Sequence, residues 1–154
     1  MAPLEPRALR AGAEVEIRLL NMRREAEALA DLVDTADLVL VDAPCSGTGT
    51  WRRNPEARWR IDQSALSRLA HEQARLLDIG AALVAPGGAL VYAVCALSKA
   101  EGPAQIDAFI SRHSGWQADN GLIAGRALGQ GRLLTPLHDG CDGFFFARLV
   151  RDGN

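Results

Sequence analysis

An α/β fold built on a mainly parallel sheet and closed by an antiparallel C-terminal strand is what the order of segments in this chain predicts. Leu38, Val39, Leu40 and Val41 form an unbroken branched-aliphatic run, the pattern of a parallel strand covered on both faces. Residues 89–94, ALVYAV, are a second such run. Between them Leu66, Leu69, Leu76, Leu77, Leu83 and Val84 recur at spacings of three, four and seven, which makes one long amphipathic helix. Strand, helix and strand in that order imply a right-handed crossover between neighbouring parallel strands.

In chain order, residues 6–12 read as the tail of a helix closed by Gly12, and residues 14–20, EVEIRLL, alternate polar and apolar as a short strand does. Residues 25–33 are compatible with a helix, and 35–37 turn into the first apolar strand. Just after Asp42, Pro44 removes a ladder donor and Gly47 and Gly49 permit backbone angles a strand resists, so the chain leaves the sheet there. The following WRRNPEARWR, residues 51–60, carries a turn signal at Asn54-Pro55. Asp62 is placed to cap the long helix, and Pro86-Gly87-Gly88 to end it. After the second strand Pro103 opens another helix that turns Ile106, Phe109 and Ile110 inward. Residues 132–135 and 144–150 are expected to be an antiparallel pair at one edge of the sheet.

A chain of 154 residues with 48% hydrophobic content has enough core for one small domain and not for two. Its formal net charge of -2 supplies no global basic field, so a polyanionic partner would have to use a local patch. Lys99 is the only lysine among seventeen basic residues, which excludes most lysine-based catalysis. There is no apolar signal core at the N-terminus and no stretch near the ~20 apolar residues of a membrane span, and the sequence reads as cytoplasmic. Three cysteines, Cys45, Cys95 and Cys141, widely spaced and without Cys-x-x-Cys, indicate neither a disulfide framework nor a zinc site.

Cys45 and Cys95 each follow an apolar strand. One crossover would set the carboxyl ends of those strands side by side, where open α/β sheets hold their ligands. Such cysteines are either small core residues or, where a neighbour favours the thiolate, nucleophiles. Asp42, three residues before Cys45, is either a turn cap or a second reactive group at the same edge. A cysteine hydrolase is disfavoured because no histidine falls at a strand end. Arg52, Arg53, Arg58 and Arg60 with Trp51 could bind RNA through phosphates and base stacking, or could be ordinary solvated surface, while Trp59 is expected in the core. The Gly47-Thr48-Gly49 loop lacks the Gly-Lys-Ser/Thr of a phosphate-binding loop.

Asp42-Ala43-Pro44-Cys45-Ser46-Gly47-Thr48-Gly49, Arg53-Asn54-Pro55, the run from Pro86-Gly87-Gly88 to Cys95, and Asp142-Gly143-Phe144-Phe145 together resemble the RsmB/Nop/Sun family of RNA cytosine-5 methyltransferases, over about residues 7–150. The resemblance implies a Rossmann-like class I methyltransferase sheet, here lacking the first strands, with residues 1–154 forming a single, partial domain. It implies S-adenosylmethionine as methyl donor and RNA, ribosomal RNA in particular, as partner. By the family pattern Cys95 attacks carbon 6 of cytosine, Cys45 assists release of the product, and Asp42 binds the base edge and borders the cofactor. Asn21 stands where the family often has an acid, so it is a cofactor contact or else a solvated turn residue. Arg52, Arg53 and Trp51 fall to RNA.

The chain also departs from the pattern. Val94 replaces a threonine, and Ala100 and Gly102 replace the acid and the asparagine of a Glu-Glu-Asn that opens the next helix, leaving Glu101. The glycine-rich first strand is not found before residue 7. The chain alone is therefore expected not to bind S-adenosylmethionine appreciably or to methylate, and to expose a sheet edge that pairs with an N-terminal half or with a second copy. The alternative is an inactive fragment that at most binds RNA or complements another chain.

Overall fold

The computed structural model describes residues 4–119, 121 and 124–153. They fall into two compact units, residues 1–31 and residues 32–154. The first begins with α1, Leu4–Ala11. Gly12, at φ +64°, ends it, with Gly12 N–H donating to Leu9 O and Ala13 N–H to Ala8 O at 3.1 and 3.0 Å, the paired bonds by which a left-handed glycine closes a helix. Residues 14–20 do not form the strand that their alternation suggests. A strand needs a neighbour to take its N–H and C=O groups, and these residues enter no ladder. Arg18 ties this stretch locally, donating to Asp31 through two nitrogens at 2.5 and 2.7 Å and to Glu16 at 2.6 Å. The helix expected over 25–33 is cut to one turn, α2, Glu25–Ala28, followed by a 3-10 turn over Ala30–Leu32, since so short a helix gains little from propagation.

The second unit contains β1, Ala36–Asp42, α3, Gln63–Leu83, and β2, Val84–Val94. It continues with α4, Pro103–Arg112, β3, Trp116–Ala118, β4, Arg126–Leu128, β5, Gly131–Leu134, α5, Pro136–Asp139, and β6, Phe144–Arg151. Asp62 caps α3 by accepting from Ala65 N–H at 2.7 Å, as its position predicts. Helix α3 passes directly into β2, which starts at Val84 rather than at residue 89. A register shift between the Ala36–Val84 and Leu38–Ala89 pairs absorbs the irregular Pro86-Gly87-Gly88.

The sheet is mixed, in the order β1-β2-β6-β5-β4, with β3 also paired to β6. β1 and β2 are parallel, and β6 runs antiparallel to β2, β3 and β5. The β5–β6 pair is antiparallel as expected, although β6 lies inside the sheet and not at its edge. Tyr92, Phe109, Phe145, Leu77, Leu90 and Leu149 are fully buried and form the core between the sheet and the helices. Gly80 lets α3 approach β1 closely, because a Cβ there would come within 2.8 Å of Val41 Cγ2. The apolar run in β1 predicts cover on both faces. It has cover on one: Val39 and Val41 pack on the core, while Leu38 and Leu40 are 60% and 66% exposed. Leu38 and Leu40 stand on the face opposite α3, where no described layer covers β1; separately, β1 is the terminal strand and leaves one backbone edge unpaired in the sheet. Among the described residues no helix is long and apolar enough to cross a membrane.

Candidate active site

The parallel β1–β2 register pairs Asp42 with Ala93, and Ala43 N–H extends it by donating to Ala93 O at 3.0 Å. Both strands therefore release their chains at the same level of the same edge, and Cys45 Sγ lies 3.3 Å from Cys95 Sγ. Backbone bonds close the two loops onto each other. Gly49 N–H donates to Cys95 O at 3.0 Å and Gly143 N–H to Gly49 O at 2.9 Å, while Leu97 N–H donates to Thr48 Oγ1 at 2.8 Å. Gly49 has no room for a side chain, since a Cβ would stand 2.0 Å from Gly143 O. Both cysteines are half-buried.

Burial and the hydrogen bond with Cys95 push the Cys45 thiol up to about 12, the Gly47 N–H opposing. Cys45 is thus a thiol at neutral pH, able to donate toward its neighbour. Behind the pair Glu101 is fully buried. Its Oε1 accepts from Ser46 N–H at 2.7 Å and Gln73 Nε2 at 3.2 Å, and its Oε2 from Ser46 Oγ at 2.5 Å and Ser98 Oγ at 2.8 Å. Tyr92, raised by burial, donates its hydroxyl to Glu101 O at 2.8 Å. Gly102 is also explained: a Cβ there would lie 2.8 Å from the Phe145 ring, so the asparagine of the family pattern would not fit beside this phenylalanine.

Asp42 is exposed at the end of β1. Asn21 is exposed in the first unit, where its C=O accepts from Arg24 N–H at 2.9 Å in a turn. Arg53 Nε donates to Asp142 Oδ2 at 2.7 Å, and Arg52 lies 3.5 Å from the other oxygen. Asp142 is held below the usual carboxylate range by its bond to Arg53, and Arg53 is raised in return. The tryptophans differ from expectation. Trp51 is half-buried, with its indole N–H enclosed and unpaired among the described residues. Trp59, expected in the core, is 77% exposed because it lies on a one-sided 3-10 segment, Pro55–Arg60, none of whose residues is buried. Arg58 sits 4.4 Å from its ring centroid. His138 is exposed on α5 and contacts Thr135 Oγ1 at 3.3 Å.

Cys45, Cys95 and Asp42 are legible in the sequence, whereas the polar group that holds the loops is not. Its trace there is Gln73, a polar residue on the buried stripe of α3 one turn before Leu77. A buried amide on such a stripe needs partners, and its own are Pro44 O at 2.9 Å and Glu101.

Residues 6–150 match the model of the family described as 16S rRNA methyltransferase RsmB/F. The ribosomal RNA small subunit methyltransferase B of Xylella fastidiosa (strain Temecula1) is 37% identical over 158 residues, covering 90% of this chain and 37% of the relative. Among solved structures, that of PH0851 superposes with a TM-score of 0.82 at 31% identity, over 96% of this chain and 34% of that one. NSun6 from Pyrococcus horikoshii, solved with SFG, gives 0.76 at 25% identity, over 99% and 38%. The chain thus spans little more than a third of the length of these relatives. The mixed sheet with its parallel β1–β2 pair is a Rossmann-like methyltransferase fold, and the chain belongs to the 16S rRNA methyltransferase RsmB/F family.

Proposed function

We propose that this chain carries the two-cysteine centre of an RNA cytosine-5 methyltransferase acting on ribosomal RNA. The observation that carries the reading is the 3.3 Å approach of Cys45 Sγ to Cys95 Sγ at the carboxyl ends of adjacent parallel strands. Cytosine carbon 5 is a poor nucleophile until a thiolate adds at carbon 6. Cys95 is assigned that addition, forming a C6–S bond and leaving carbon 5 electron-rich. As the methylated adduct eliminates, carbon 5 gives up its proton to solvent, the C5–C6 double bond re-forms and the C6–S bond breaks with Cys95 leaving as thiolate; Cys45, held as a thiol by burial, is assigned to hydrogen-bond that departing sulfur. Asp42, exposed and in none of the ion pairs of the described residues, is free to accept from the base edge and to stabilise the protonated ring.

S-adenosylmethionine, when bound, supplies an electrophilic methyl group. The similarity to NSun6 solved with SFG, an analogue of that donor, supports its use here. Asp42 is exposed, and an acid suits the amino and hydroxyl donors of such a molecule, so we assign it to cofactor contact. Arg52, Arg53 and Trp51 are assigned to RNA, and Trp59 joins them by its exposure. The terminal place of β1, with one backbone edge unpaired in the sheet, favours a second reading, in which this segment works only when that edge strand is paired with another chain or with a second copy.

The test uses the chain alone and the chain joined to the remaining part of the Xylella relative, with ribosomal RNA and a methyl-labelled donor. Cys45→Ser should accumulate a covalent RNA adduct that survives denaturation, and Cys95→Ser should form neither adduct nor product. Normal turnover by Cys45→Ser without an adduct would overturn the assigned roles.

A further inference from the structure

We propose that Glu101 is the positioning residue of the cysteine pair: its buried carboxylate ties the loop after Cys45 to the loop after Cys95 and so keeps the two sulfurs in contact. The inference rests on the two-cysteine reading for what the pair does, though not for how it is held. Glu101 is reached from both loops. Ser46, next to Cys45, donates to it through its N–H and its hydroxyl, and Ser98, three residues after Cys95, donates through its hydroxyl at 2.8 Å. On the other side of Cys45, Pro44 O accepts from Gln73 Nε2 at 2.9 Å, and the same nitrogen lies 3.2 Å from Glu101 Oε1. The residues immediately before and after Cys45 are therefore both fixed by one connected group.

The chemistry of that group favours a directional role. Four donors converge on the two oxygens, filling the acceptor positions of a carboxylate. All four are neutral, and burying a charge among neutral groups is costly. An aliphatic residue of similar volume would fill the space without that cost. What the carboxylate adds is a fixed direction for Ser46 and Ser98. The negative charge of Glu101 also acts on Cys45, favouring its thiol form.

The prediction is tested on this chain without RNA or cofactor, by the rate at which diamide couples Cys45 to Cys95. Two thiols lose two hydrogens, an S–S bond forms, and the diazene is reduced to a hydrazine. The product is identified by mass spectrometry of the peptides containing Cys45 and Cys95, with thermal unfolding recorded in parallel. Sulfurs in contact need only a small approach to bond, so at one alkaline pH common to all variants, chosen because burial holds Cys45 as a thiol near neutrality, the unaltered chain should couple fast. Glu101→Gln keeps the reach and should stay within about threefold of that rate. Glu101→Asp keeps the charge but falls one methylene short, and with Glu101→Ala it should be slower by about tenfold or more, as intramolecular rates fall once orientation is lost. Should either of those two fail to fold, Ser46→Ala carries the test, with an expected slowing of about threefold.

A purely structural Glu101 would lower the unfolding temperature and leave coupling unchanged well below it; that outcome in folded variants, or slow coupling in the unaltered chain, overturns the proposal. Fast coupling in a protein that forms no RNA adduct would instead count against the proposed function.

Discussion

Cys45 and Cys95 hold their sulfurs 3.3 Å apart across fifty positions of sequence, and backbone register sets that distance. The β1–β2 ladder pairs Val41 with Tyr92 and Asp42 with Ala93, and the bond from Gly49 N–H to Cys95 O carries the pairing past the strand ends. A slip of one residue would turn every β1 side chain to the opposite face and displace the start of the Cys45 loop. The loops then have little freedom left, because Glu101 and Gln73 hold Cys45 on both sides.

Cys45 should titrate as a buried thiol. Its value rises from an ordinary 9.0 to about 12, with Cys95, Glu101 and Tyr92 as the ionisable groups near it. The native state thus binds the proton more tightly than the unfolded chain does. The associated stability is complete below about pH 9 and is lost as pH rises toward 12. Alkylation of Cys45, followed by mass spectrometry, should keep climbing through about pH 9 to 11, where an ordinary thiol levels off, and denaturation midpoints should fall over the same window. A plateau near pH 9 would contradict this.

Gly49→Ala should destabilise the site and the fold together. Its Cβ would meet the backbone of Gly143 at 2.0 Å, and backbone cannot rotate away as a side-chain tip can. The Gly143 N–H to Gly49 O bond must open, and with it the tie between the 47–50 loop and the start of β6. Overpacking of this kind costs about 1–3 kcal/mol, which for a chain of this size lowers the melting temperature by roughly 2–4 °C per kcal/mol. An unchanged melting temperature would show that the loop relaxes freely.

Where the chain's own pattern decided the outcome, the sequence was legible. The 3.6-residue stripe and the Asp62 cap of α3, the two apolar strands, Gly12 at a helix end and the meeting of Cys45 with Cys95 could all be read. What failed depended on neighbours. The alternation in residues 14–20 is that of a strand, but no ladder forms there, and the run from Leu38 to Val41 predicts two covered faces where the terminal strand has one. Trp51 and Trp59 belong to one arginine-rich stretch with no period, so nothing in the order of residues says which faces water. Glu101 was visible only as a leftover of a motif; its importance comes from Ser46 and Gln73, respectively 55 and 28 positions away.

The arginine patch should show itself in the salt dependence of RNA binding. Arg52 and Arg53 are exposed and share Asp142, which offsets part of their charge toward a phosphate. Replacing both with alanine should flatten the plot of log affinity against log salt by about 0.7 for each single-strand phosphate that is no longer neutralised, across unrelated sequences. Asp142→Asn should steepen the same plot by releasing both guanidinium groups. If neither variant alters the slope, these arginines do not touch the RNA backbone.

Trp59 and Trp51 should separate binding from stability. Trp59 is 77% exposed with the Arg58 guanidinium 4.4 Å from its ring centroid, a flat cationic platform of the kind on which an unpaired base stacks. Trp59→Ala should weaken binding of a short single-stranded RNA by about 1–3 kcal/mol, the usual loss for one base–aromatic stack, while leaving the melting temperature nearly unchanged because little packing is removed. Trp51 is half-buried with its indole N–H enclosed, so Trp51→Ala should lower the melting temperature first and affect binding through the loop it supports. Fluorescence anisotropy with a labelled oligonucleotide and thermal unfolding of both variants decide the matter. If Trp59→Ala binds as the unaltered chain does and Trp51→Ala loses binding at full stability, base stacking belongs to Trp51 and the exposed indole is ordinary surface.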